Sequence, residues 1–315
     1  MKLVILDSET VSKGDVSLDE ITSLCDSSVY GYTPNELVAE RIGDADAVLC
    51  NKCLITKDVF DRCPNLKFVG LFATGYNNVD LDAATEKGAC VCNVPAYSTE
   101  SVAQHTFAFI LNFFSKIGDY SQTVANGDWI NYKLFSYFYM PTDEICGKTL
   151  GIIGYGTIGK RVAQIARAFG MKVLAFTRTP KTEEGTEFTS LEELLRRSDV
   201  VTLHCPLTDK TKELINKDTL SMMKKTALLV NTSRGGVINE YDLADALEKE
   251  SIAGACLDVL TYEPMREDCP LYNAKNCTIT PHIAWAPKPT RERLLSVVAE
   301  NIRKWLQGKP QNKVN

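Results

Sequence analysis

Short apolar runs alternate along most of the chain with stretches in which apolar residues recur every three or four positions. The runs at residues 3–6, 45–49, 68–72 and 89–94 read as β-strands, and residues 35–42, 56–62 and 81–87 between them read as helices. The runs carry little polar alternation, which suits strands of a parallel sheet covered on both faces. Strands alternating with helices predict an α/β architecture.

Residues 99–114 break this rhythm. Val102, Ala103, Thr106, Phe107, Ile110, Leu111 and Phe114 mark one long helix, which reads as a crossing between two domains. An irregular aromatic stretch follows at residues 129–140, with Tyr132, Phe135, Tyr137, Phe138 and Tyr139, and reads as packing at an interface. A second series then begins with a strand at residues 149–153, a helix at 158–169 and a strand at 172–176. The helix at residues 191–197 opens with Ser190 and Glu193 at capping-box spacing. Strands at residues 200–204, 227–231, 253–258 and 277–280 follow, with a helix at 240–248 among the intervening segments. This is a doubly wound, nucleotide-binding order. In the last helix, residues 290–306, Leu294, Val297, Val298, Ile302 and Trp305 fall at helical spacing. The glycine-rich motif sits mid-chain, so this helix is expected to return to the first domain. The division predicted is residues 1–98 plus 288–315 for a substrate-binding domain and 99–287 for a dinucleotide-binding domain.

Composition agrees. The 315 residues are 44% apolar and 24% charged, ordinary values for a soluble globular protein, and long enough for two domains. The net charge of −5 repels phosphate backbones and argues against nucleic acid as a partner. No apolar run approaches the ~18 residues of a membrane-spanning helix, so no membrane role is expected. The opening MKLVILDSET reads as a strand rather than a signal peptide. Eleven cysteines, an odd number, point to a reducing compartment and a cytoplasmic location. Cys50 and Cys53 form C-x-x-C and Cys90 and Cys92 form C-x-C. That mismatch does not read as a zinc site, and no metal is expected.

Gly154, Gly156 and Gly159 form G-x-G-x-x-G between a strand and a helix, the setting that makes this motif meaningful. Gly154 would permit the tight turn, Gly156 a close approach of a pyrophosphate, and Gly159 the packing of helix on sheet. The amides of Thr157 and Ile158 would face the phosphates at the helix N-terminus. An acid for the ribose 2′-hydroxyl is expected about 20 residues on. Thr177 and Arg178 stand there instead. A hydroxyl and a guanidinium suit the 2′-phosphate of NADP. The alternative, with Arg178 against the adenine or in solvent, leaves NAD as cofactor.

Three segments follow strands and so lie at carboxyl ends, where α/β sheets bind ligands: NTSRGGVIN, LDVLTYEP and TPHIAW. They supply Arg234, Glu263 and His282, a set fitted to hydride transfer to a 2-oxo acid. Arg234 can hold a carboxylate and polarise the carbonyl. His282 can donate the proton. Glu263 can orient the ring and favour its charged form. Asp258 can accept a bond from the nicotinamide side or from a neighbouring amide. Each residue also has a structural reading, as a surface arginine, a turn glutamate or a buried histidine. His105 and His204 read as structural, one inside the long helix and one at the end of a core strand.

The motifs GYGTIG, HCPLT, NTSRGG, LDVLTYEP and TPHIAW together resemble the D-isomer-specific 2-hydroxyacid dehydrogenases, and FATGYNNVD with PHIAWA is most similar to their glycerate dehydrogenase, or hydroxypyruvate reductase, branch. The resemblance covers nearly the whole chain. It implies two Rossmann-like doubly wound parallel-sheet domains with the active site in the cleft between them. It implies Arg234, Glu263 and His282 as the catalytic set. It implies a substrate-carboxylate loop at Ala73, Thr74, Gly75 and Tyr76, with Arg234 and His282 also touching the substrate. Thr74, Cys205, Thr232, Ser233, Asp258 and Ala284 would join the glycine-rich turn against an NAD(P) cofactor. A homodimer is implied as well, with the long helix and the neighbouring aromatic stretch in its contact. NAD-preferring members carry Asp where this chain has Thr177. The activity implied is reduction of hydroxypyruvate or glyoxylate to the D-2-hydroxy acid. The alternatives are reduction of pyruvate or a branched 2-oxo acid, or a dinucleotide-sensing regulator that resembles the C-terminal-binding corepressors.

Overall fold

The computed structural model describes residues 1–179 and 182–315. The chain forms two compact units, Met1–Ser98 with Trp285–Asn315, and Thr99–Ala284. The segment that returns to the first unit begins at Trp285. The physical reason is the Trp285 ring, which meets Tyr97 edge-on at 6.4 Å and packs into the first unit's core.

The first unit runs β1 (Lys2–Ile5), α1 (Asp19–Thr22), β2 (Asp26–Val29), α2 (Val38–Ile42), β3 (Ala47–Cys50), α3 (Lys57–Arg62), β4 (Phe68–Leu71), α4 (Leu81–Glu86) and β5 (Cys90–Cys92). Its strands pair in parallel in the order β2-β1-β3-β4-β5. Successive side chains point to opposite faces, so a strand covered twice must be apolar throughout. Val4, Val48, Val69 and Val91 enter one core with Val38, Ile42 and Phe60. Leu3, Ile5, Leu49 and Phe68 enter the other. Each fully buried side chain of this kind stabilises the fold by roughly 1.5–3 kcal/mol.

The second unit runs α5 (Thr99–Ser115), α6 (Ile117–Ala125), β6 (Thr149–Ile153), α7 (Thr157–Ala168), β7 (Lys172–Phe176), β8 (Glu187–Phe188), α8 (Leu191–Arg197), β9 (Val200–Leu203), α9 (Lys217–Ser221), β10 (Leu228–Asn231), α10 (Glu240–Glu248), β11 (Gly254–Leu257) and β12 (Cys277–Ile279). The sheet order is β12-β11-β10-β9-β6-β7-β8, parallel throughout. From β6 the chain steps one way to β7 and β8, then the other way to β9. Strands β6 and β9 therefore flank a topological switch point, where such sheets bind ligands. Ser190 caps α8 by accepting from the Glu193 amide.

The chain ends with α11 (Lys288–Leu306), whose Leu294, Leu295, Val298 and Ile302 complete the core of the first unit. The predicted helix at residues 35–42 divides into a 3-10 turn, Asn35–Leu37, and α2.

Candidate active site

Gly154 adopts φ +96°, and a Cβ there would meet the Cys205 amide nitrogen at 2.5 Å. Only glycine satisfies both constraints. A Cβ on Gly159 would meet the carbonyl oxygen of Gly154, so helix and turn pack backbone to backbone. The space over Gly156 is open, and as N-cap of α7 it offers no side chain to the helix amides. A cavity of about 550 Å³ lies there, lined by Gly156, Thr157, Tyr155, Lys160, Arg161, Gln164, Thr99 and Glu100.

The remaining residues of this region follow from the strand ends. Thr177 and Arg178 come directly after β7, Thr177 half-buried and Arg178 exposed. Cys205 follows β9, and burial pushes its thiol up to about 11, so it stays protonated. Next to it, His204 donates or accepts at Nε2 with Thr202 Oγ1 at 3.0 Å, and its enclosed Nδ1 has no partner. Thr232 is buried with its hydroxyl 3.1 Å from that of Thr106. Open space over the turn and helix amides without a side-chain cap fit a bound dinucleotide.

Asp258 organises the turn beyond β12. Its carboxylate is 2% exposed. Oδ1 accepts from the Thr280 hydroxyl at 2.5 Å and the Ile283 amide at 2.8 Å, and Oδ2 accepts from the Ala284 amide at 2.9 Å. The neighbouring amides expected as one partner of Asp258 are present, that of Ala284 among them. Just before them His282 sits at φ +55°, a left-handed conformation that costs a non-glycine residue roughly 1–2 kcal/mol. Its amide donates to the carbonyls of Asp258 at 2.8 Å and Thr280 at 2.9 Å. Hydrogen bonds to a charged group contribute about 1.5–3 kcal/mol each, enough to offset that strain.

The His282 ring meets Glu263, with Nδ1 2.6 Å from Oε2. The other carboxylate oxygen accepts from the Leu260 amide at 3.0 Å, which fixes the glutamate. Arg234 is exposed at the end of β10, with Nη1 donating to the Ser233 carbonyl at 2.8 Å. The buried Asn231 side chain shapes its turn. It donates to the Arg234 carbonyl at 2.9 Å and accepts from the Ser233 amide at 2.9 Å and hydroxyl at 2.8 Å. Gly235 lies so close to the Leu260 carbonyl that no Cβ fits. The Arg234 turn and the Glu263 carboxylate therefore converge on one backbone position, Leu260. Glu263 and His282 are in direct contact, and Arg234 joins them through that shared backbone.

In the first unit, Ala73, Thr74, Gly75 and Tyr76 follow β4. The Ala73 carbonyl accepts from the Val94 amide at 2.9 Å, and the Thr74 hydroxyl donates to the Val94 carbonyl at 2.7 Å. Asn93 Nδ2 donates to the Thr74 carbonyl at 2.7 Å. Asn93 is held in turn by Asn301 Nδ2 at 2.9 Å and by the Asn312 carbonyl at 3.1 Å. Sequence reasoning passed over Asn231, Asn93 and Asn301. Their only signal is an amide side chain at a strand end or inside an otherwise apolar helix face.

Residues 107–284 match the family described as D-isomer specific 2-hydroxyacid dehydrogenase, NAD binding domain. The chain is 44% identical over 321 residues to a hydroxypyruvate reductase of Blautia hydrogenotrophica, covering 100% of both. It is 39% identical over 317 residues to a glycerate dehydrogenase of Methylorubrum extorquens, covering 99% of this chain and 98% of that one. Among solved structures it matches an NADPH-dependent glyoxylate/hydroxypyruvate reductase of Sinorhizobium meliloti, solved with NADP and malonate. The TM-score is 0.85 at 26% identity, covering 99% of this chain and 96% of that one. The chain belongs to the D-isomer-specific 2-hydroxyacid dehydrogenases. Within that family it falls in the hydroxypyruvate reductase and glycerate dehydrogenase branch, as an NAD(P)-dependent oxidoreductase of small 2-oxo acids.

Proposed function

We propose that the protein reduces hydroxypyruvate or glyoxylate to the D-2-hydroxy acid, with His282 as the proton donor. The observation that carries this reading is the Nδ1–Oε2 contact of 2.6 Å between His282 and Glu263. The carboxylate fixes the orientation of the ring, leaving Nε2 for a substrate oxygen. Arg234 is assigned to the substrate carboxylate, and the amides of residues 73–76 to substrate binding. Gly154, Gly156, Gly159, Thr157 and Ile158 hold the pyrophosphate, with Cys205, Thr232, Ser233 and Ala284 along the rest of the dinucleotide. Bound NAD(P)H supplies the hydride. Asp258 acts by holding the His282 turn. Thr177 and Arg178 favour NADP, because no carboxylate stands there to repel a 2′-phosphate.

The quaternary reading is a homodimer. Ile130, Phe135 and Phe138 are 86%, 91% and 93% exposed, yet their segment is ordered on α6. The Tyr120 hydroxyl donates to the Met140 carbonyl at 2.7 Å, and Trp129 Nε1 donates to the Phe135 carbonyl at 3.0 Å. An ordered apolar arm of this kind suits a partner surface. All eleven cysteines are free thiols, in keeping with a cytoplasmic location.

Initial rates with hydroxypyruvate, glyoxylate and pyruvate, each with NADH and NADPH, test the reading. Fastest turnover of hydroxypyruvate with NADPH is expected. Pyruvate as the best substrate, or no turnover of any of them, contradicts it.

A further inference from the structure

His105 lies in the first half of α5, far in sequence from the chemistry, and packs edge-on against Phe109 with centroids 4.6 Å apart. Its Nε2 is 3.0 Å from Thr280 Oγ1 and 3.7 Å from Asp258 Oδ1. The Thr280 hydroxyl spends its one proton on Asp258 Oδ1. The contact with His105 is therefore made by a lone pair of Thr280, and Nε2 of His105 carries the hydrogen. Burial pushes the His105 imidazole below its ordinary value, against the opposing pull of Asp258, so the ring is the neutral Nε2–H form near pH 7.

This arrangement fixes direction along a chain. Nε2–H of His105 donates to Thr280, Thr280 donates to Asp258, and Asp258 accepts the two amides that follow His282. We propose that His105 is a positioning residue for the proton transfer: it orients the Thr280 hydroxyl so that Asp258 keeps His282 in its left-handed turn. The proposal rests on reading His282 as the proton donor. Removing the His105 donor frees the Thr280 hydroxyl to rotate, and Asp258 then loses the shorter of its side-chain partners. Misplacement of a reacting group by a fraction of an ångström lowers turnover without weakening binding.

The test uses three variants of the whole enzyme and one spectrum. His105→Phe keeps a ring against Phe109 and removes the donor. His105→Gln restores an N–H at the Nε2 position. Thr280→Val cuts the next link. The expected result is a kcat lower by about tenfold in His105→Phe, with KM and cofactor Kd within about twofold of the parent. His105→Gln recovers most of the loss. Thr280→Val shows a similar loss, and the double variant His105→Phe/Thr280→Val is no worse than the poorer single variant. Long-range ¹H–¹⁵N spectra of the unliganded protein should show His105 protonated at Nε2 only. Parental kcat in His105→Phe, losses that multiply in the double variant, or a proton on Nδ1 overturns the proposal. If His105→Phe fails to fold, the Gln and Val variants and the spectrum decide in the same way. His282→Gln separates the two readings. If it keeps parental kcat, the proton-donor reading fails; if it is inactive while His105→Phe is not impaired, only the role of His105 fails.

Discussion

Two turns carry the proposed chemistry, and they are built differently. The loop after β4 in the first unit is held by neutral groups, the Asn93 and Asn301 amides and the backbone of Val94. The turn after β12 in the second unit is held by a buried carboxylate, Asp258. The difference tracks the backbone. No residue of 73–76 has a positive φ, whereas His282 does. A relaxed loop presenting amides needs only ordinary hydrogen bonds. A side chain held in a disfavoured conformation needs the stronger, charge-assisted kind.

The sharpest way to break this contrast is Asp258→Asn. An amide cannot accept at both ends, so one Asn Nδ2 hydrogen faces an amide hydrogen of Ile283 or Ala284. We expect a loss of about 1–3 kcal/mol in stability, read as a lower Tm, with kcat falling more than KM rises. Unchanged kcat would show that the turn holds itself.

Acid sharpens it next. All three histidines lie in the second unit. Burial pushes His204 down from 6.5 to about 3 and lowers His105 as well. The unfolded chain therefore binds protons that the folded unit refuses. Stability is full above pH 6.5 and falls as pH drops below it towards the folded value. Between pH 6.5 and 5, ordinary carboxylates have barely begun to titrate, so the loss should be confined to the second unit. For His204 it amounts to about 2 kcal/mol at pH 5. Hydrogen exchange at pH 7 and 5, corrected for intrinsic rates, should show β9 and β10 losing protection while β3 and β4 keep theirs. Equal losses in both sheets contradict the assignment.

The smallest effect is expected from Asn301→Ala. It removes the donor to Asn93 and the partner of Asn312 Nδ2, at a cost of about 1 kcal/mol. Because Asn93 holds the loop at Thr74, KM for the 2-oxo acid should rise a few-fold with cofactor Kd unchanged. A larger effect on kcat than on KM would erase the distinction between the two turns.

The sequence was most legible where burial on both faces forces an unbroken apolar run. Strands β6 and β7 and helices α8 and α10 fall on the predicted residues. It was least legible at sheet edges. Strand β2, Asp-Ser-Ser-Val, borders only β1 and is largely exposed, so nothing demands apolar residues there. Helix α9 is only five residues long, yet Asn216 and Thr219 form a capping box that pattern reading could have used. Arg234, Glu263 and His282 stood out because each follows a strand. Of the supports behind them, Asp258 stood out as well, whereas Thr280 and His105 did not. Thr280 meets His105 across 175 positions of sequence, and no local pattern encodes such a meeting.

The most direct measurement is the pH dependence of kcat/KM for hydroxypyruvate reduction by the parent enzyme and His282→Gln, with cofactor Kd followed by fluorescence. If His282 delivers the proton, the parent rate falls as pH rises. The variant then loses about 10²–10⁴-fold in rate together with that limb, while binding cofactor normally. A variant that keeps the same limb and rate would show that the proton comes from elsewhere.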